Sequence, residues 1–260
     1  MLPRIHAFEV HDLPWCPAFV RETVVETLGH ALRWGRIYDP VAPVFAEFCE
    51  RAGVERVLDC CSGSGEPVSI LIDALDRAGA VVPRFTLSDL FPNTERLLAV
   101  SARHPGRVAV CHEPVNATAV PTDIDGDART IISAFHHFSP ALARRILEDC
   151  VAAKRAVFVL EPTPRRVRNA MGVLAWLAAG AALNPLIAAR HRTSKLLGTF
   201  AIPLLPAVVA WDSTVSMLRM YTEAELFSLV GDLAGYHWEF REIEGKNGVL
   251  VTAFMGWPER

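Results

Sequence analysis

Between residues 55 and 161, short apolar runs alternate with longer stretches whose apolar positions recur every three or four residues. The short runs, 55–60, 84–88, 107–111, 128–134 and 154–160, read as strands. The stretches between them predict helices over 67–78, 93–103 and 139–152, with Val68, Leu71, Ile72 and Leu75 on one face of the first. Residues 115–127 are polar and read as a loop. Upstream, Phe19, Val20, Val24, Leu28, Ala31 and Leu32 share a helical face, and Val44, Phe45, Phe48 and Cys49 repeat the pattern until Gly53 ends it. Downstream, Thr222 and Glu225 form a capping pair, and strands over 236–243 and 248–255 are close enough to pair as a hairpin. Strands alternating with helices predict an α/β fold: a doubly wound, seven-stranded, mostly parallel sheet closed by an antiparallel C-terminal hairpin.

One region departs from this alternation. Residues 169–189 run 21 positions without a charge, and residues 196–211 add another 16. The first run has the length of a membrane span. Asn184-Pro185 interrupts it, and Pro203 and Pro206 interrupt the second, which favours a buried helical hairpin or lid. Contact with a membrane surface is the second expectation. The predicted organisation is a helical cap over 1–52, a core over 53–165, an apolar helical insert over 166–221, and a helix and hairpin over 222–260 that complete the core.

The chain has 260 residues, 51% hydrophobic and 21% charged, enough for one large core. A net charge of −3 without a long basic run argues against nucleic acid as a partner. Six cysteines without a CxxC pair read as reduced, buried thiols rather than a metal site. The N-terminal residues lack the apolar stretch of a secretion signal, so a cytoplasmic location is expected.

The candidate chemistry lies in Asp59-Cys60-Cys61-Ser62-Gly63-Ser64-Gly65, at the end of the first predicted strand and ahead of Pro67, which suits a first helical turn. Ligands of open parallel sheets bind at the carboxyl ends of the strands. A dinucleotide fingerprint needs glycine at 68, where Val68 stands, and a phosphate loop needs Gly-Lys-Ser/Thr, which is absent. Asp59 would repel a phosphate and suits an ammonium group. Asp89, 24 residues beyond Gly65, suits a ribose diol. An ammonium, a ribose and no phosphate describe S-adenosylmethionine.

On these residues the chain resembles the class I S-adenosylmethionine-dependent methyltransferases. Their D/E-x-G-x-G-x-G motif is matched by Asp59, Gly63 and Gly65, with Cys61 in place of the first glycine. The resemblance implies cofactor contacts from Ser62, from Asp89 and Leu90, from the adenine loop at Asn116-Ala117, where Asn116 replaces the usual acid, and from Tyr38 reaching the methionine carboxylate. Phe135-His136-His137-Phe138 resembles the His-His-Phe often found after strand four. S-adenosylhomocysteine is the implied product.

Candidate catalytic groups are His136 and His137, placed where a methyl group would project, and Glu161 at the end of strand five. A base is needed only for a nucleophile that carries a proton near neutral pH. Candidate substrate residues are Trp176 in the insert and Asp212, Ser216, Arg219 and Tyr221 after it; Asp212 and Ser216 share a helical face. The expected function is methylation of a small, rather apolar molecule by a monomer or homodimer. Two alternatives stay open: a non-catalytic cofactor- or lipid-binding relative docking through 169–211, and a relative catalysing a reaction other than methylation.

Overall fold

A computed structural model describes residues 3–124, 126–188, 190–245 and 248–259, with the side chains of 167–176 outside the description. The chain divides into two compact units, one of residues 1–37 and 163–220, the other of 38–162 and 221–260.

The second unit carries the sheet. Its strands are β1 (Arg56–Asp59), β2 (Arg84–Leu87), β3 (Val108–Val110), β4 (Ala128–Ile132), β5 (Ala156–Glu161), β6 (Tyr236–Glu244) and β7 (Leu250–Pro258). They lie in the order β3-β2-β1-β4-β5-β7-β6. β1 to β5 are parallel, while β7 runs antiparallel to both β5 and β6. This is the expected doubly wound sheet with its terminal hairpin. The strand order runs outward in opposite directions from β1 and from β4, which opens a crevice at their carboxyl ends.

The helices of this unit are α2 (Ala42–Ala52), α3 (Glu66–Ala78), α4 (Thr94–Arg103), α5 (Pro140–Ala152) and α9 (Glu223–Val230). On one sheet face, Phe45 and Phe48 of α2 pack against Phe85 and Phe158. On the other, Leu58, Ile131, Val157 and Val159 pack with Ile146 and Leu147 of α5 and Leu226 and Leu229 of α9. Strand alternation produces both faces: Val157 and Val159 point one way, Phe158 the other. The capping box expected at Thr222 is present, with Glu225 N–H on the threonine hydroxyl and Thr222 N–H on the glutamate. The boundary expected at residue 52 falls instead at 37. The phenylalanines of α2 belong to the sheet core, which ties that helix to the second unit.

The first unit contains α1 (Ala18–Trp34), α6 (Val167–Ile187), α7 (Arg192–Leu196) running into a π-helical turn at Leu197–Ala201, and α8 (Leu204–Arg219). Its interior joins Val20, Leu205 and Val208 in one cluster and Ala31, Leu177, Ala181 and Val209 in another. The helix break expected at Asn184-Pro185 does not occur, and α6 continues to Ile187. Pro185 sits in the last turn, so only one intrahelical hydrogen bond is lost there. Pro203, by contrast, is the residue before α8, and Pro206 lies in its first turn, where backbone N–H groups have no helical partner anyway. Among the described residues no single helix is long and apolar enough to cross a membrane; Arg192–Ala201 and Leu204–Arg219 pass such a test only as a pair bent by 85°.

Candidate functional site

The carboxyl ends of β1, β2, β4 and β5 bring most of the candidate residues together. Asp59 ends β1 and is buried. Its two carboxylate oxygens accept hydroxyl bonds, one from Thr130 at 2.6 Å and one from Ser62 at 2.6 Å. Burial, opposed by these two hydroxyls and assisted by the charge of Asp89, pushes the Asp59 carboxyl up to about 7. Among the described residues no cation pairs with it.

The glycine loop is held in place by serines. Ser62 N–H donates to the Ser88 carbonyl at 3.0 Å, and Ser88 N–H donates to Ser62 Oγ at 3.1 Å. Ser88 Oγ donates to the Asp59 carbonyl at 2.8 Å. The ends of β1 and β2 are thereby locked side by side. Gly65 has φ +70°, and a Cβ there would lie 2.9 Å from Leu87 Cδ1 and 3.1 Å from Val100 Cγ2. Only glycine satisfies both the backbone and the contact. Gly63 has φ +54°, and the space where its Cβ would stand is open. Cys61, in the place of the family's first glycine, does adopt the left-handed backbone, at φ +62°. Its thiol is pushed up to about 12 by burial, then by Asp89 and Asp59, so it is neutral at physiological pH.

Asp89 accepts Gly63 N–H on one oxygen at 2.8 Å and Phe91 N–H on the other at 2.9 Å. The carboxylate is half-buried, beside the exposed Leu90. Val115 N–H donates to the Asp89 carbonyl at 2.8 Å, which brings the 115–117 loop to this same edge. Asn116 is exposed in that loop. Its Oδ1 already accepts Thr118 N–H and Thr118 Oγ–H, both at 2.9 Å, closing a local turn. Ala117 is buried beside it.

His136 and Glu161 form the second focus. His136 lies in a short 3-10 turn after β4, Phe135–His137, and Glu161 ends β5. Glu161 accepts His136 N–H at 2.9 Å and meets Nδ1 at 3.0 and 3.1 Å with its two oxygens. Both residues are buried. These contacts hold the imidazole in one orientation through its Nδ1 edge. His137 is half-buried, its ring 4.3 Å from that of His136. Tyr38 is fully buried and exchanges a 2.8 Å hydrogen bond with Ser133 Oγ. Tyr221 donates to the Phe138 carbonyl at 2.7 Å and packs against Phe135, bracing the histidine turn.

The remaining substrate candidates belong to the helical unit. Asp212 accepts Val10 N–H at 2.6 Å, His11 N–H at 3.1 Å and His11 Nδ1 at 2.9 Å. Arg219 holds Glu9 at 2.9 Å, and Ser216 Oγ donates to the same Glu9 oxygen. These three side chains fasten the N-terminal segment onto α8. The Trp176 side chain lies outside the described residues. Sequence reasoning did not single out Thr130, Ser88, Ser133, Glu9 or His11; serines and threonines at strand ends carry no spacing signal, and Glu9 and Asp212 are some 200 residues apart.

The cradle fits S-adenosylmethionine. Asp59 is a buried carboxyl with hydroxyl partners and, among the described residues, no cation; Gly63 leaves open space, and Asp89 is oriented by two backbone N–H groups. No protein-family model and no curated protein matches the chain. Solved structures do. The mitomycin 7-O-methyltransferase MmcR aligns at TM-score 0.51 and 17% identity over 96% of this chain and 59% of that one. A protein from Nostoc punctiforme PCC 73102 described as a candidate O-methyltransferase aligns at TM-score 0.50 and 15% identity over 97% and 64%. The chain thus spans about three fifths of the length of these two structures. With the strand order above, these matches identify the fold as that of the class I S-adenosylmethionine-dependent methyltransferases.

Proposed function

We propose that the chain transfers a methyl group from S-adenosylmethionine to a hydroxyl of a small, rather apolar molecule. The observation that carries this reading is the buried His136–Glu161 pair at the same strand ends as the Asp59–Gly65 loop. A carboxylate on Nδ1 orients the imidazole, so that Nε2 can take the proton of an acceptor. Such a base serves a hydroxyl or phenol, whose proton must leave, and is idle for an already unprotonated nucleophile. When bound, the cofactor supplies an electrophilic methyl group on a sulfonium. Asp59 would receive its ammonium and Asp89 its ribose hydroxyls, while Gly63 and Gly65 let the backbone approach closely. The apolar character of the acceptor rests on the composition of 169–211 alone. A cytoplasmic location is part of the same proposal.

Calorimetry with S-adenosylmethionine and S-adenosylhomocysteine is the direct test. The wild type is expected to bind both and Asp89→Ala neither. His136→Gln is expected to keep binding while losing 10²- to 10⁴-fold in turnover, read as S-adenosylhomocysteine release across a panel of phenols. Failure of the wild type to bind either compound would overturn the proposal.

A further inference from the structure

Each of the two apolar runs is partly buried and partly exposed in the helical unit. Leu177 and Ala181 of α6, and Leu205, Val208 and Val209 of α8, are buried in its core. Between those segments the apolar residues turn outward. Leu183, Leu186 and Ile187 stand out at the end of α6, and Leu197, Phe200 and Ile202 in and just after the π-helical turn; all are 48–69% exposed. Monomeric surfaces rarely gather so many large exposed apolar side chains in one region unless they bind something. The connection between the two groups carries exposed Arg190, His191 and Arg192.

Charge decides what the face meets. Between Glu161 and Asp212 the chain contains no acidic residue, although 29 occur in its 260 positions. Of the cations in that stretch, Arg190 and Arg192 are exposed beside the apolar face, whereas Lys195 is buried on Glu26 of α1 and Arg165 is buried on the Met220 carbonyl. A face built for a second copy has no reason to exclude one sign of charge over so long a segment. An anionic lipid surface does, because each acid near it is repelled and each arginine attracted. We infer that the exposed end of α6 and the turn at Leu197–Ala201 dock on anionic lipid, their apolar side chains in the headgroup boundary and Arg190 and Arg192 on lipid phosphates. This goes beyond methyl transfer and does not depend on it.

The test is vesicle flotation of the 260-residue chain on phosphatidylcholine alone and on phosphatidylcholine with about a third phosphatidylglycerol. The chain is expected on the anionic vesicles, with binding that weakens as salt rises. Leu186→Glu/Phe200→Glu/Ile202→Glu is expected to lose at least tenfold. Arg190→Gln/Arg192→Gln is expected to lose about fivefold per arginine on anionic vesicles only. Calorimetric binding of S-adenosylmethionine is measured on each variant and is expected to stay at the wild-type level; since the altered residues are exposed, the arginine pair serves as the second arm if the triple variant misfolds. No flotation of the wild type, or flotation equal on both vesicles and untouched by the arginine changes, overturns the inference. So does a concentration-dependent dimer in sedimentation velocity that the triple variant abolishes, which gives the face to a second copy.

Discussion

Replacing Asp59 by asparagine should make the protein more stable and weaken its affinity for S-adenosylmethionine. The Asp59 carboxyl is raised from 3.8 to about 7 by burial, which outweighs the hydroxyls of Ser62 and Thr130. Below pH 3.8 the acid is protonated folded or unfolded and contributes nothing. Between 3.8 and 7 the folded state keeps a proton that the unfolded chain has lost, so stability falls as pH rises. Above 7 the full cost of a buried, unpaired charge applies, on the order of 4 kcal/mol. The amide of the Asp59→Asn variant cannot ionise, and it can still engage the two hydroxyls after they rotate. Thermal melts at pH 5 and pH 8 isolate the effect, because other titrating groups cancel in the comparison of the two proteins. At pH 8 the variant is expected to melt about 10 °C above the wild type, with a much smaller gap at pH 5. The same variant should bind S-adenosylmethionine more weakly, while the wild type should release a proton on binding at pH 6, visible in buffers of different ionisation enthalpy. A gap that is equal at the two pH values, or a wild type that gains on the variant as pH rises, would refute the reasoning.

Four further outcomes follow from the geometry. Gly65→Ala meets both a left-handed backbone and the Leu87 methyl at 2.9 Å, and should cost roughly 2–4 kcal/mol in denaturant unfolding, whereas Gly63→Ala, with nothing near its Cβ, should cost about 1. Cys61, its thiol up at about 12, should resist iodoacetamide at pH 8 in the native protein and react after unfolding, as peptide mass spectrometry would show. Arg219→Met leaves Glu9 buried without its guanidinium and should destabilise by about 3–5 kcal/mol, with early proteolysis within roughly the first 12 residues. At His11, burial pulls the imidazole down, but the Asp212 hydrogen bond and the charges of Asp12 and Glu9 leave it net raised above 6.5. Its contribution is therefore complete below 6.5 and fades as pH passes the raised value, so that proteolysis of the same segment should quicken from pH 6 to pH 9 in the wild type but not in His11→Gln.

The sheet was legible because each strand is a short apolar run ended by a polar residue or glycine, a pattern dictated by burial on both faces. The glycine turn after β1 was legible because Gly63 and Gly65 answer to backbone geometry, which leaves a local trace. The α6 helix was misread at Asn184-Pro185 because a proline in the last turn is nearly harmless, and its position in the turn is set by where packing ends the helix. The unit boundary at 37 was missed because α1 and α2 have similar apolar faces, and only their partners differ. Asp212 and Arg219 stood out as polar residues in an apolar region, yet Glu9, His11 and the nature of their pairing arise from contacts about 200 residues apart, which no local spacing encodes.

The division of the chain also orders events in time. The helical unit is made of residues 1–37 and 163–220, with most of the sheet unit written between them. The apolar face of α1 meets α6 and α8, which a ribosome reaches only after more than a hundred intervening residues. At about 5–20 residues per second, α1 waits roughly ten to forty seconds for its partners. Through that interval Val24 and Ala31 lack their native partners on α6 and α8, while β1 to β5 can already pair. Nascent chains stalled between residues 162 and 204 should therefore be the ones most dependent on chaperones.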